Sequence, residues 1–230
     1  MVLTEAEIAA LLLSLKVSLW SVAATLPPGI LLGWALARFQ FAGKAVIEAV
    51  LHMPLVLPPV VIGYVLLLAF GANGWLGYWL AELFDVRVAF TWKGAAIASA
   101  VMGFPLMVRA VRLAMSLVDP RLELAAGTLG ARPWKVFLTI TLPLAAPGIL
   151  TGAILSFARS LGEFGATITF VGNIEGETRT LPLALYTYTQ TPGMEQPAFR
   201  LVLISLGVAL AALVASEILG RRAESRLLGE

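Results

Sequence analysis

One apolar stretch in the second half of the chain carries side chains suited to handling an ion. Arg159 and Glu163 interrupt the run from Leu144 to Val171. At 3.6 residues per turn, a single helix would place six residues within an arc of about 100°: Gly152, Ser156, Arg159, Ser160, Glu163 and Thr167. Hydroxyls beside a guanidinium suit an anion, and charges inside an apolar layer normally face water or a partner. The arc therefore predicts a translocation pathway or gate formed by Ser156, Arg159, Ser160, Glu163 and Thr167. The alternative is an internal Arg159–Glu163 ion pair at i,i+4 spacing that only stabilises packing.

Catalytic chemistry has little support in the composition. The chain has no cysteine and a single histidine, His52. This excludes disulfides and thiolate ligands, and it argues against histidine-based zinc sites and a Ser-His-Asp triad. Acidic and nucleophilic residues do not recur at catalytic spacing. We therefore expect no catalytic residue, no metal site and no cofactor.

The elements that hold these residues are predicted to cross a membrane. Of 230 residues, 59% are hydrophobic and 13% charged, whereas soluble domains average about 45–50% apolar and about 25% charged residues. Five stretches are long enough to span a bilayer, which takes about 20 apolar residues: 10–37, 45–70, 94–117, 144–171 and 201–220. No basic residue precedes the first, so it is interpreted as a retained span rather than a signal peptide. The prediction is one all-α polytopic membrane domain over 1–230.

Basic residues predict the orientation of these spans. Ten lysines and arginines fall on one side, at 38, 44, 109, 112, 121, 132, 135, 221, 222 and 226, and four on the other, at 87, 93, 179 and 200. The richer side is expected to be cytoplasmic. With five spans, the N-terminus then lies outside and the C-terminus inside. A short amphipathic surface helix is expected near Leu76–Phe84.

The segment 119–143 is longer than a simple connection between spans needs. Asp119 and Pro120 form a helix start, and Gly130 can end that helix. Pro133 can open a second short helix that carries Trp134 and Phe137. Exposed apolar residues on two short helices predict a docking surface for a cytoplasmic partner. The alternative is an ordinary amphipathic connector.

The spacing Ala125-Ala126-x3-Gly130-x9-Ile140-x-Leu142-Pro143 resembles the "EAA" loop of the membrane subunits of ABC importers. The resemblance implies the type I importer permease fold, with short cytoplasmic coupling helices beneath the spans. It also implies that the loop inserts into a cleft on an ATPase subunit. The coupling residues would be Glu123, Ala125, Ala126, Gly130, Trp134, Phe137, Ile140, Leu142 and Pro143. The family's acidic position, six before the glycine, is Leu124 here, and Glu123 lies one residue earlier.

Two further segments, Leu51–Gly63 and Ala158–Phe170, resemble permeases that import tetrahedral oxyanions. Gly176–Ala184, with Tyr186, is similar to the molybdate branch. The resemblance implies a non-catalytic permease subunit in the cytoplasmic (inner) membrane, importing molybdate or the related tungstate. Its partners would be a second copy of itself, two ATPase subunits and a periplasmic or extracellular binding protein, without nucleic acid. The alternatives are a sulfate or thiosulfate permease and an ion-gradient-driven secondary transporter.

Overall fold

A computed structural model describes residues 3–228 of the chain, with side chains described for 3–215, 217 and 218. Throughout that range the regular elements are helices, which confirms the predicted all-α class. They are α1 Glu5–Arg38, α2 Lys44–Val56, α3 Pro59–Phe70, α4 Trp75–Phe84, α5 Trp92–Leu117, α6 Pro120–Thr128, α7 Pro133–Val136, α8 Leu142–Leu161, α9 Gly165–Val171, α10 Leu181–Thr189 and α11 Glu195–Leu228. A π-helical segment, Phe137–Thr141, joins α7 to α8.

Within the described residues, four helices are long and apolar enough to cross a membrane. They are α1, α5, the continuous run Pro133–Leu161, and Glu195–Ala215 of α11. A fifth crossing arises if the pair α2 and α3 counts as one span, although the two helices are bent by 111°. This count agrees with the five predicted spans. The arginines of the C-terminal tail, Arg221, Arg222 and Arg226, lie outside the residues whose side chains are described.

The bent pair joins opposite ends of the molecule. Near the start of α2, Glu48 forms an ion pair with Arg112 at 2.9 Å, close to the end of α5. At the end of α3, the ring of Phe70 lies 6.1 Å from that of Phe170, which packs near the start of α5. The pair therefore runs the full height of the bundle once. Pro58 and Pro59 cause the bend, because α3 opens at Pro59 and α2 cannot continue through the two prolines.

The fourth predicted span, 144–171, is not one continuous helix. α8 ends at Leu161, and residues Gly162–Phe164 separate it from α9. The assumption of a single helix, on which the arc from Gly152 to Thr167 was drawn, is therefore wrong beyond Leu161. The start of the second loop helix at Pro133 is confirmed, but that helix is not separate. It continues through the π-helical segment directly into α8, so the second loop helix and the start of the fourth span form one continuous helical run.

Helix α5 lies at the centre and packs against both α1 and α8. Small residues allow this close approach. An added Cβ at Gly33 would come within 2.6 Å of Val111, and one at Gly148 within 2.3 Å of Ala114. Gly29-x3-Gly33 and Gly148-x3-Gly152 have the small-xxx-small form that lets membrane helices approach closely, and here they pack α1 and α8 against α5 of the same chain.

The end of the bundle away from the loop is held by charged and aromatic contacts. Arg200 donates from Nε and Nη2 to the buried Glu7, at 3.0 and 2.9 Å, which joins α11 to α1. Lys16 lies over the ring of Trp92, 3.7 Å from its centroid. Nearby, α4 exposes Trp75 and Trp79, as the predicted amphipathic surface helix requires.

Candidate functional site

The loop between α5 and α8 begins with the helix that its sequence predicts. The Asp119 carboxylate accepts a hydrogen bond from the backbone N–H of Arg121 at 2.9 Å, and Pro120 takes the first helical position. Gly130 follows α6 with φ of +85°. Residues with a Cβ rarely adopt that conformation, so glycine is the residue that permits this turn. The predicted start and end of the first loop helix are confirmed.

One surface of this loop presents large apolar side chains to the surroundings. Leu124 is 69% exposed, Leu129 88% and Trp134 61%, and Leu138 is exposed beside them. We call these four residues the outer face of the loop. Large exposed apolar residues concentrated in one short segment are typical of a protein-binding surface.

The other predicted coupling residues divide between surface and interior. Ala125, Gly130 and Pro143 are exposed, whereas Glu123, Ala126, Phe137, Ile140 and Leu142 are half-buried. The ring of Phe137 lies 5.2 Å from that of Trp34 in α1. Phe137 therefore packs the loop against α1, and Leu124 lines the cavity between the loop and the end of α1 while most of its side chain stays exposed.

Glu123 turns inward, away from the outer face. Its Oε1 accepts hydrogen bonds from Arg38 Nη2 at 2.8 Å and from Thr141 Oγ1 at 2.6 Å. Arg38 Nη2 also donates to the carbonyl oxygen of Val118 at 3.1 Å. Sequence reasoning missed both partners: Arg38 counted only toward the orientation of the spans, and Thr141 was given no role. Because Arg38 and Glu123 are 85 positions apart, no local pattern could pair them.

The charged pair of the polar arc lies where α8 breaks. Arg159 Nη1 is 2.6 Å from Glu163 Oε2, and the Glu163 side chain is 1% exposed against 28% for Arg159. Glu163 Oε1 accepts a hydrogen bond from the backbone N–H of Ala166 at 2.8 Å. Glu163 thus stabilises the first turn of α9 while it neutralises Arg159.

The hydroxyl members of the arc lie inside the chain. Ser160 Oγ is 3.1 Å from Ser21 Oγ of α1 and 3.4 Å from the carbonyl oxygen of Ser99 in α5. Ser156 is buried against Gly103, and Thr167 is buried in α9 beyond the break. The structure therefore keeps Ser156, Arg159 and Ser160 on α8, and it places Glu163 in the break and Thr167 on α9. Arg159 and Glu163 form the i,i+4 ion pair that the sequence offered as the alternative. Arg159 is the member that reaches the edge of the protomer.

The break between α8 and α9 lies against the break between α2 and α3. An added Cβ at Gly165 would come within 2.8 Å of Pro59, and one at Gly63 within 2.5 Å of the carbonyl oxygen of Ala166. The two backbones are therefore in direct contact. Discontinuous membrane helices commonly form the substrate and ion sites of transporters.

The sequence matches the family described as "Binding-protein-dependent transport system inner membrane component" over residues 29–225. It is 58% identical over 226 residues to the molybdenum transport system permease protein ModB of Escherichia coli (strain K12), covering 98% of this chain and 99% of that protein. It is 37% identical over 202 residues to the sulfate transport system permease protein CysT of the same organism, covering 87% of this chain and 72% of that one.

A solved structure shares the fold. A chain in the crystal structure of a bacterial ABC transporter involved in the import of the acidic polysaccharide alginate superposes with a TM-score of 0.75. The superposition covers 96% of this chain and 80% of that chain at 18% sequence identity. At this identity the likeness concerns the fold alone, and it confirms the fold expected from the loop motif.

Proposed function

The chain belongs to the family of binding-protein-dependent transport system inner membrane components, and on that premise we propose that it is the permease subunit of an ATP-driven molybdate importer. The observation that carries the substrate is the 58% identity to a molybdenum permease along nearly the whole of both chains. Tungstate has the same tetrahedral geometry and is the second substrate that we propose. As a permease subunit the chain is not an enzyme, and ATP is hydrolysed on a separate partner chain.

The loop 119–143 is the contact with that ATPase. Its outer face supplies exposed apolar side chains that a cleft on the ATPase can bury. Each Å² of apolar surface removed from water contributes about 25 cal/mol of stabilisation. Its inner residues are fastened to α1 and α8, and the run from Pro133 to Leu161 is continuous. Movement of the ATPase subunits would therefore displace a transmembrane helix directly rather than a flexible connection.

The assembly contains two copies of the chain. In one copy, Ser160 Oγ lies against Ser21 Oγ of α1 and the carbonyl oxygen of Ser99 in α5, so α8 is packed directly on α1 and α5 at this level. The ion path therefore lies between protomers, in keeping with the two-fold symmetry that is most common among closed oligomers. A periplasmic or extracellular binding protein would deliver the ion at the opposite end from the loop.

The Arg159–Glu163 pair is the proposed gate of this path. It is located at the α8–α9 break, where α9 touches α3, and Arg159 reaches the protomer edge. Ser156, Ser160 and Thr167 support this gate from within the protomer. A permease need not hold its ion tightly, so a partly exposed arginine beside a neutralising carboxylate suits transient contact with an oxyanion.

The orientation follows from the charge distribution. The chain would lie in the inner membrane with its N-terminus outside and its C-terminus in the cytoplasm, because ten of the lysines and arginines fall on the loop side. Met1 and Val2 lie outside the described residues, so this proposal rests on the basic residues and on the position of the loop.

Co-purification and uptake together test the proposal. The tagged permease, expressed with the ATPase and the binding protein of a molybdenum transport system, should retain the ATPase in detergent. After reconstitution into vesicles with ATP inside, it should import molybdate, and excess unlabelled tungstate should compete more strongly than sulfate. Stronger competition by sulfate or thiosulfate would favour the sulfate permease. Uptake that needs an ion gradient but no ATP would favour a secondary transporter.

A further inference from the structure

The inner side of the loop carries a three-way polar contact that the docking role does not explain. Glu123 belongs to α6, Arg38 is the last residue of α1, and Thr141 is the last residue of the π-helical segment before α8. Both donors approach the same carboxylate oxygen, at 2.8 and 2.6 Å. A single atom of the loop helix therefore touches two different transmembrane helices.

Charge makes this contact stronger than a neutral hydrogen bond. Both Arg38 and Glu123 have largely buried side chains, 15% and 22% exposed. Hydrogen bonds to ionised groups are roughly twice as strong as neutral ones. Arg38 also holds the carbonyl oxygen of Val118, so its guanidinium secures the chain immediately before α6 as well as α6 itself.

The position of Thr141 adds a second observation. The π-helical segment Phe137–Thr141 is the joint between the loop and α8, and such segments are rare and frequently occur at functional sites. Thr141 is buried at the end of this joint. A contact from α6 to Thr141 therefore bypasses α7 and acts on the base of α8 itself.

We propose that Glu123 is a positioning residue that transmits movement of the docked loop to α1 and α8 through Arg38 and Thr141. The carboxylate acts within its own chain and does not contact the ATPase. Leu124, the next residue, is 69% exposed and belongs to the outer face instead. This inference rests on the proposed docking function of the loop and adds the intramolecular path by which docking would reach the membrane.

The test measures how much ATP is consumed for each molybdate ion imported by the complete reconstituted transporter. Glu123→Ala removes the shared oxygen but leaves the outer face intact. We expect the ATPase to remain bound and the ATP-to-molybdate ratio to rise severalfold, because ATP hydrolysis would continue while fewer cycles move α1 and α8. Thr141→Val removes one donor at nearly constant volume and should give a smaller rise. Glu123→Gln keeps an acceptor oxygen in place and should restore much of the coupling.

The control is a second ion pair on the same end of the bundle. Glu48 pairs with Arg112 at 2.9 Å between α2 and α5 and does not touch the loop. Glu48→Ala should leave the ATP-to-molybdate ratio unchanged, which separates a specific link from any loss of a charge pair.

The remaining outcomes distinguish failure of the Glu123 link from failure of the proposed docking function. An unchanged ratio in Glu123→Ala overturns the link. Loss of ATPase binding in Glu123→Ala also overturns it, because the carboxylate would then belong to the docking surface. If Glu123→Ala does not accumulate, an unchanged ratio in Thr141→Val overturns the link instead. Failure of the unmodified permease to retain any ATPase would refute the proposed function itself.

Discussion

Replacing Glu163 by alanine removes two contacts at the α8–α9 break. The ion pair with Arg159, at 2.6 Å, is lost, and the backbone N–H of Ala166 loses its acceptor at 2.8 Å. Breaking a buried pair from one side costs about 3–5 kcal/mol. Arg159 is 28% exposed, so water can reach the stranded guanidinium and the lower end, about 3 kcal/mol, applies. The unpaired N–H adds about 1 kcal/mol.

The expected total is about 4 kcal/mol, which corresponds to a melting temperature lower by about 10 °C in a domain of this size. Glu163→Gln keeps an oxygen for Ala166 and should lose about 1 kcal/mol less. Thermal unfolding followed by tryptophan fluorescence measures both. Glu175→Ala is the matched control, because it removes another i,i+4 pair, with Arg179, at an exposed position. It should cost about 0.5 kcal/mol or less.

The double change Arg159→Ala, Glu163→Ala separates a gate from a packing element. Removing both charges leaves none stranded, so stability should recover to within about 2 kcal/mol of the unmodified protein. If the pair acts as a gate, molybdate uptake stays impaired although the ATPase remains bound. Full uptake in the double variant would refute the gate and leave the pair with a structural role only.

Three further predictions follow from glycines and from the basic residues. Gly130→Ala should destabilise the turn after α6 by about 1 kcal/mol, because the φ of Gly130 is +85°. It should therefore reduce ATPase binding, measured by co-purification. Gly127→Ala, inside α6 with open space around the added Cβ, should leave ATPase binding unchanged. Gly63→Ala should lower stability by about 1–3 kcal/mol in thermal unfolding, since the Cβ would lie 2.5 Å from the Ala166 carbonyl oxygen, while Gly207→Ala, which meets nothing, should not. In this cysteine-free chain, a cysteine replacing Glu195 should react with an impermeant maleimide from outside, and one replacing Gly127 only after permeabilisation; outside labelling at Gly127 would overturn the topology.

The spans, the ends of α6 and the loop motif could be predicted from the sequence, because each depends on neighbouring residues. Hydropathy is a sum over neighbouring residues, so five crossings could be counted without knowing how they pack. Asp119, Pro120 and Gly130 act on their own turns, and they predicted both ends of α6. The "EAA" spacing identified the family because it combines several such local requirements in one loop.

The positions of the polar side chains in the candidate gate could not be predicted from the sequence. The arc from Gly152 to Thr167 assumed one regular helix, but the chain breaks at Gly162–Phe164, where Glu163 gives its carboxylate to Arg159 and to the first turn of α9. Nothing in the residue types alone shows that Ser160 would turn toward Ser21 rather than toward an open path.

Composition and local spacing are therefore enough to predict the number of crossings, the helical class, the loop and the family. The meeting of distant groups depends on the fold: Glu123 with Arg38 and Thr141, Ser160 with Ser21, and α3 with α9 through Gly63. The Arg159–Glu163 pair, by contrast, was one of the two alternatives that its i,i+4 spacing offered, and only the break beside it was unexpected. Each of the first three contacts joins residues far apart along the chain, and the break depends on where a helix stops. Such contacts depend on the packing of whole helices, and local propensity carries no information about that packing.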